Sequence, residues 1–434
     1  MRHYGIDLGT TNSLIGCTET GFLSDLIPSC VNFNTGVCGK AAYDDMDATR
    51  SFKIDMSLGT EGIKPRAASA KVLQELVKQV TDDTVKSVVI SVPAYFTDNQ
   101  RQATLEAAAN AGLEVACLVN EPTAAAMYIA QNKKGLFAVY DLGGGTFDIS
   151  IIDSRFGSYD VQATSGLVVG GDNFDENIMK FFVKHGRIAL FRLNAYQRAS
   201  LRHVATKYKI LMQKTRKDIE VDLTPWNGEK ILFTEQNYID LMKMTFQGTI
   251  NCMQKLIDGY TAGDTYEILL VGGSTRCPYL REWLGEVFGT SIGEPTYDPD
   301  RVVAQGAALY ATMIANGSAV VKVSDVTRAL SIGMYDGTVS RIIEPNSKIP
   351  LLVDKVFYNH EATKQLQLDL YQGESTFASE NELIGQLVYE YDEVKDAMDG
   401  QVLVKIEIDQ AGVIKFSCGE LLHESKEVVL RRQL

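Results

Sequence analysis

The sequence predicts an α/β unit made of two similar halves, followed by a small all-β unit. Three observations predict it. Strand-like and helix-like patterns alternate from residue 1 to about residue 318, which is the arrangement of layered α/β folds. Asp-Leu-Gly followed by hydroxyl residues occurs twice, as Asp7-Leu8-Gly9-Thr10-Thr11 and as Asp141-Leu142-Gly143-Gly144-Gly145-Thr146. After residue 319 the apolar residues recur with a period of two.

The elements follow in order. Leu73, Leu76, Val77 and Val80 recur at helical spacing, as do Leu201, Val204, Tyr208 and Leu211. Thr97-Asp98-Asn99-Gln100 reads as a capping box that opens a helix, which Gly112 can close. Ser87–Val92, Leu136–Asp141 and Tyr266–Val271 read as strands between these helices. The short stretch 319–326 reads as a linker, dividing a first unit, 1–318, from a second, 327–434. In the second unit Leu366, Leu368 and Leu370 alternate with polar residues, as do Val402, Val404, Ile406 and Ile408. With a further strand at Glu427–Leu430 and no long amphipathic helix, that unit is expected to be a β-sandwich without a helical lid.

Composition excludes several function classes. The chain has 434 residues, 45% hydrophobic, and 42 basic against 55 acidic residues, a net charge of −13. That balance repels a phosphate backbone, so a nucleic-acid partner is not expected. No apolar run reaches the roughly 20 residues that span a bilayer, so no membrane partner is expected. The seven cysteines are scattered without a Cys-x-x-Cys pair, and the chain starts without an apolar leader core. Both point to a reducing, cytoplasmic setting. The five histidines show no metal-ligand spacing.

In each Asp-Leu-Gly copy an apolar strand runs into Asp, then small residues, then a second strand pattern, Ser13–Cys17 or Phe147–Ile152. Such a hairpin lets backbone N–H groups approach a phosphate closely, and Thr10, Thr11 and Thr146 add hydroxyl donors. Asp7 and Asp141, at strand ends, suit a hydrated Mg²⁺. A third glycine turn, Gly272-Gly273-Ser274-Thr275, also follows an apolar strand pattern. One copy alone is an ordinary tight turn; the three together point to a cleft that grips phosphates from two sides. Asn120-Glu121-Pro122-Thr123, taken alone, is a helix start with Pro in its first turn, and Lys53 alone is a surface lysine.

The segments Asp7–Ser13, Ser91–Phe96, Asn120–Ala126, Asp141–Asp148, Gly170–Asp175, Val271–Arg276, Tyr297–Asp300 and Val303–Ala308, in this order, resemble the signature set of the DnaK-type 70-kDa heat-shock chaperones. Asp325-Val326-Thr327, Val356-Phe357 and Tyr371–Glu374 are similar to that family's linker and peptide-binding β-domain, and Gly5–Ile15 is similar to its shorter HscC-like branch. The resemblance implies an actin-like ATPase fold with two lobes, and an ATP-dependent chaperone that binds extended apolar segments of unfolded polypeptides with slow hydrolysis. It implies ATP or ADP, Mg²⁺ and K⁺ as cofactors, with a J-domain protein and a nucleotide exchange factor as partners.

By that resemblance Lys53, Glu121, Asp141 and Thr146 are catalytic, and Asp7, Asp141 and Asp148 hold the metal. Gly9, Thr10, Thr11, Asn12, Gly143, Gly144, Gly145, Gly170 and Gly171 match the phosphate side. Lys209, Gly272, Gly273, Ser274, Arg276 and Asp300 match the adenosine side. Pro93 and Arg101 match residues that relay nucleotide state, and Met334, Phe357, Tyr358, Leu366 and Leu368 match the peptide groove. Several positions depart from the family: Thr206 stands for a usual glutamate, Gln213 for a usual serine, Cys117 for an arginine used in J-domain docking, and Arg328-Ala329 for a usual Pro-Leu. The basic cluster Lys207, Lys209, Lys214, Arg216 and Lys217 reads as a solvated helix face. The alternative reading is a nucleotide-binding scaffold of the same fold without a working hydrolysis cycle. A small-molecule kinase or filament protein is a third, which the C-terminal β-unit and Lys53 disfavour.

Overall fold

The computed structural model describes residues 2–43, 45–57, 60–81, 85, 87–131, 133–261, 263–316, 323–409, 412–420 and 423–429. Two large sheets form the centre of the first unit, and each is built around one of the predicted hairpins. In the first sheet Tyr4–Leu8 pairs antiparallel with Asn12–Cys17 and parallel with Ser87–Val92, which pairs parallel with Glu114–Asn120. In the second, Leu136–Leu142 pairs antiparallel with Phe147–Asp153 and parallel with Tyr266–Val271, and Tyr159–Leu167 extends the far side. The same hairpin flanked by the same parallel neighbour occurs in both, so the internal sequence echo is an echo of topology.

The strands Leu136–Leu142 and Phe147–Asp153 are buried along their whole length, because helices cover both faces. Helices Glu121–Ile129 and Val302–Ala315 fill the space between the two sheets. Their approach requires glycine: a Cβ on Gly306 would lie 1.8 Å from the Ala124 carbonyl oxygen, and one on Gly5 would lie 1.9 Å from the Ala308 nitrogen. Helices Ile63–Val77 and Asp98–Asn110 pack on the first sheet through Leu73, Leu76 and Ala108. Helices Gly171–His185, Ala195–Thr215, Glu235–Tyr260 and Pro278–Phe288 build the largest core on the second. The predicted capping box forms: Thr97 Oγ1 accepts from the Gln100 amide at 3.4 Å, and Gln100 Oε1 accepts from the Thr97 amide at 3.1 Å. Gly112 follows this helix at φ +81°.

The second unit is a sandwich of two four-stranded sheets, Leu330–Gly333 with Val339–Ile343, Thr363–Gln372 and Glu382–Lys395, against Leu351–Tyr358 with Gln401–Ile408, Ile414–Glu420 and His423–Val429. Period-two alternation puts Val402, Val404, Ile406 and Ile408 in its core. Among the described residues no α-helix follows Ala315, and no helix is long and apolar enough to cross a membrane.

The stretch read as a linker is described only in part. Residues 319–322 lie outside the described residues, but Val323–Thr327 is a strand. It pairs parallel with the first unit at Tyr159↔Val323 and antiparallel with the second unit's Ser347–Ile349. Val323 and Ser324 thus pair with the first unit and Asp325–Thr327 with the second, so this stretch is continuous with a sheet in each unit. Side chains add to the junction. The Asp98 amide donates to Gln372 Oε1 at 3.0 Å, and Asp98 Oδ1 accepts from the Ile414 amide at 2.9 Å. Thr97 Oγ1 donates to Glu382 at 3.1 Å, and the Arg328 guanidinium lies 4.3 Å from the Tyr95 ring centre.

Candidate functional site

A cavity of about 570 Å³ lies between the two halves of the first unit, and both hairpin turns open into it. The turns meet in van der Waals contact. A Cβ on Gly144 would lie 1.8 Å from Thr11 Oγ1, and one on Gly145 would lie 2.8 Å from Thr10 Cγ2. The second turn is pinned from behind. The Gly143 amide donates to the Thr146 carbonyl at 3.0 Å, while the Gly143 carbonyl accepts from the Gly171 amide at 3.0 Å and from Ser274 Oγ at 2.8 Å. Gly170 caps helix Gly171–His185 against Gly144, where a Cβ would lie 2.4 Å from the Gly144 carbonyl oxygen.

The carboxylates gather at the floor. The pairing Asp141↔Asp148 places two aspartates directly opposite each other across the second hairpin. Asp7 accepts from Ser91 Oγ at 2.9 Å, and Asp148 accepts from the Tyr95 amide at 2.9 Å. Glu121 is the first residue of helix Glu121–Ile129 and also lines the cavity, ion-paired with Lys53. Glu121 thus opens a helix, as its neighbours in sequence predict, and also faces the cavity. The surface reading of Lys53 does not hold, because its side chain is only 4% exposed. Phe52 and Lys53 sit on a 3₁₀ turn that tucks inward, with the ammonium 5.7 Å from the Phe96 ring centre.

One buried lysine cannot balance four carboxylates. Burial, then the charge of Glu121, pushes Asp7 and Asp148 each up to about 7. The same two causes, with Asp148 and Asp7 adding to them, raise Asp141 well above the ordinary range. Acidic groups that repel one another inside a cleft suit a bound cation. Among the described residues no three such groups converge tightly enough to cage an ion directly. A donor set of carboxylate oxygens suits Mg²⁺, which keeps several waters and takes its remaining ligands from one or two carboxylates and a phosphate. Asp7, Asp141 and Asp148 could hold it in this way.

The shifts predict a pH dependence. Asp7 and Asp148 move from 3.8 to about 7 on folding, so between those values the folded state binds more protons than the unfolded one. Stability then falls as pH rises through that window. Ion-free protein is expected to melt at progressively lower temperature from pH 4 to pH 7, about where the shifts end, and Mg²⁺ with ADP should flatten the decline. A decline that the ion leaves unchanged would remove both residues from the cation site.

At the other end of the cavity, Lys209 ion-pairs with Asp175 at 2.7 Å, and Arg276 pairs with Asp298 and, at 2.7 Å, with Asp300. Gly272 has φ +82°, and its Cβ would lie 2.4 Å from the Leu142 carbonyl oxygen, so the third glycine turn crosses the end of the second hairpin where only glycine fits. Ser274 and Gly273 also face the cavity.

The predicted residues thus come together almost completely. Gly9, Thr10, Thr11, Asn12, Lys53, Glu121, Asp141, Gly143, Gly144, Thr146, Gly171, Lys209, Gly272, Gly273, Ser274, Arg276 and Asp300 line one cavity with Asp7, while Gly145, Gly170 and Asp148 stand directly behind it. Lys207, Lys214, Arg216 and Lys217 are solvated, but Lys209 turns inward. Cys117 is half-buried and donates to the Leu118 carbonyl. Asp175 and Tyr43 line the cavity without having been assigned a role. Asp175 was legible within Gly170–Asp175; Tyr43, whose ring lies 6.3 Å from that of His203, carries no sequence signal.

The groove residues lie apart, in the sandwich. Phe357 and Leu368 belong to its core and Leu366 packs against that core, whereas Met334 and Tyr358 are exposed. Tyr335, not predicted, is also exposed and packs edge-on to His360 with ring centres 3.9 Å apart. Pro93 lines a second cavity of about 580 Å³ between the two units, which shares Thr146 with the first. Arg101 is buried, donates to Asn120 Oδ1 at 2.7 Å, and lies 3.3 Å from where a Cβ on Gly412 would be.

Comparison with known proteins agrees with this architecture. A family model described as Hsp70 protein matches residues 40–432. The chaperone protein DnaK of Thermosipho africanus (strain TCF52B) is 35% identical over an alignment of 471 positions that covers 96% of this chain and 77% of that relative. The chaperone protein DnaK of Thermosipho melanesiensis is 34% identical, with 96% and 78% covered.

Proposed function

The chain belongs to the Hsp70 family of ATP-binding chaperones, and from that premise we propose that it uses slow ATP hydrolysis to change its grip on extended apolar segments of unfolded polypeptides in the cytoplasm. The observation that carries this reading is the meeting of two glycine hairpins over the buried Lys53–Glu121 pair, in a cavity whose wall at Thr146 also bounds the cavity between the units.

Phosphoryl transfer to water needs positioning and charge neutralisation more than covalent help. Mg²⁺, when bound, offsets charge on the phosphates, and K⁺ is proposed as a further counter-charge. Thr10, Thr11, Thr146 and the glycine turns hold the phosphates, with Asn12, Gly170 and Gly171 supporting them. Lys53, held by Glu121, orients the attacking water, and Asp141 with Asp7 and Asp148 balances the ion. Lys209, Gly272, Gly273, Ser274, Arg276 and Asp300 hold the adenosine side.

In the second unit, Met334 and Tyr358 form the accessible part of the peptide groove, with Phe357, Leu366 and Leu368 forming its floor. The units are proposed to divide near residues 318 and 327, with the strand Val323–Thr327 as the joint that nucleotide state makes or breaks. Pro93, in the cavity between the units, and Arg101, beside Gly412 of the second unit, are proposed to relay nucleotide state to it. A J-domain protein and a nucleotide exchange factor are the proposed partners; with cysteine at position 117, docking of the first must rest on other residues.

The test is the affinity of a fluorescent apolar peptide measured with ADP and then with ATP. Weaker binding under ATP is the expected result, because a nucleotide shifts the two states only by its differential affinity for them. Equal affinity would mean no coupling and would favour the scaffold reading, which Thr206, Gln213 and Cys117 motivate.

A further inference from the structure

The turn that carries Lys53 is tied to the opposite half of the cleft by the Ser51 side chain. Ser51 follows the short strand Thr49–Arg50 and precedes the 3₁₀ turn Phe52–Asp55. Its backbone is left-handed, with φ +51° and ψ +22°, and the chain turns inward there to bury Phe52 and Lys53. Glycine takes that conformation without steric cost, and asparagine and aspartate take it more readily than other residues. A serine there is strained. What it adds over glycine is a hydroxyl.

That hydroxyl donates to Asp172 Oδ2, 121 positions away in sequence. Asp172 lies in the first turn of helix Gly171–His185 and lines the cavity. Its amide donates to the Gly144 carbonyl at 2.8 Å, and its carbonyl accepts from Arg202 Nη2 at 3.4 Å. Its Oδ1 lies 3.7 Å from where a Cβ on Gly144 would be. Asp172 thus touches both the glycine turn of the second hairpin and the residue that leads into the Lys53 turn. From its own half the Lys53 turn is held by Gln100, whose Nε2 donates to the Ile54 carbonyl at 3.3 Å. The Ser51–Asp172 bond supplies a hold from the other side.

We propose that Ser51 is a positioning residue for hydrolysis. Through Asp172 it sets the Lys53 turn against the Gly143–Gly145 turn, so that the Lys53 ammonium is aligned only when the two halves have closed on the phosphates. A hydrogen bond is short-ranged, and parting the halves by about an ångström breaks it. The strained backbone of Ser51 is then free to relax, and the turn that follows moves with it. The placement of Lys53 therefore depends on the seating of the second hairpin, although Ser51 itself touches no phosphate. The inference rests on the hydrolysis reading above.

The test measures single-turnover ATP hydrolysis, equilibrium ATP affinity and melting temperature in the full chain and its variants. Ser51→Gly suits the left-handed backbone and removes the hydroxyl, so its melting temperature should change little. Its hydrolysis should fall about tenfold, with ATP affinity changed by less than about twofold. Ser51→Asn also tolerates the left-handed backbone and offers an N–H donor to Asp172, and should regain part of the rate. Asp172→Ala should slow hydrolysis as well, and adding Ser51→Gly to it should cost nothing further, because the bond is already gone. Full rate in Ser51→Gly, or an undiminished further loss when it is added to Asp172→Ala, overturns the inference and leaves the hydrolysis reading intact. A loss of rate that tracks a fall in melting temperature or in ATP affinity overturns it as well, since Ser51 would then serve folding or binding. An unaltered chain that binds ATP without hydrolysing it overturns both readings.

Discussion

Lys53→Ala is expected to slow ATP hydrolysis by about 10²–10³-fold while weakening ATP binding by no more than about tenfold. Lys53 is a cation that faces Asp7, Asp141, Asp148 and Glu121, and its charge lowers the pKa of the three aspartates, with Arg101 acting on Asp148 as well. Its removal leaves Glu121 uncompensated in a cluster that already repels itself. The ground state tolerates this because the bound ion and the hairpin contacts still hold the nucleotide. The transition state, with charge developing beside the attacking water, loses a contact it needs more. Single-turnover hydrolysis and equilibrium nucleotide binding, measured on the same sample, separate the two. Equal losses in both would remove Lys53 from the chemistry and make it an ordinary binding residue.

Gly144→Ala is expected to cost hydrolysis about 10²-fold or more, although it adds a single methyl group. That carbon would lie 1.8 Å from Thr11 Oγ1 and 3.1 Å from Thr11 Cβ. The two hairpins must part by more than an ångström to admit it, about the displacement that spoils an aligned attack. Adding Thr11→Ala removes the nearer clash and should return part of the rate. Gly259→Ala is the control, since a Cβ there meets nothing within 4 Å and a helical glycine is replaced by the better helix former. Full activity in Gly144→Ala would mean that the contact between the hairpins does not set the geometry of the site.

The local elements were readable because each has a local cause. The capping box at Thr97 and Gln100, the strand Tyr266–Val271 and the alternation Val402–Ile408 all appear where spacing predicts them. Much of the site was readable for the same reason: the hairpins carry glycine and aspartate at positions where backbone geometry and phosphate chemistry demand them. Lys53 and Glu121 were readable only through family resemblance. Taken alone, a lysine on a 3₁₀ turn and a glutamate at a helix start are common, and 68 residues separate them.

What the sequence by itself determined is the repeated hairpin, the switch from α/β to all-β, and the place of three glycine turns at the ends of apolar strands. Each depends on neighbours within a few residues, where sterics and periodicity act directly. Only the tertiary structure decided that Lys53 is buried against Glu121 and that the stretch 323–327 pairs with a sheet in each unit. Those facts depend on segments tens to hundreds of residues apart arriving at the same place. No local pattern encodes them, because burial, charge compensation and sheet pairing are properties of the completed packing.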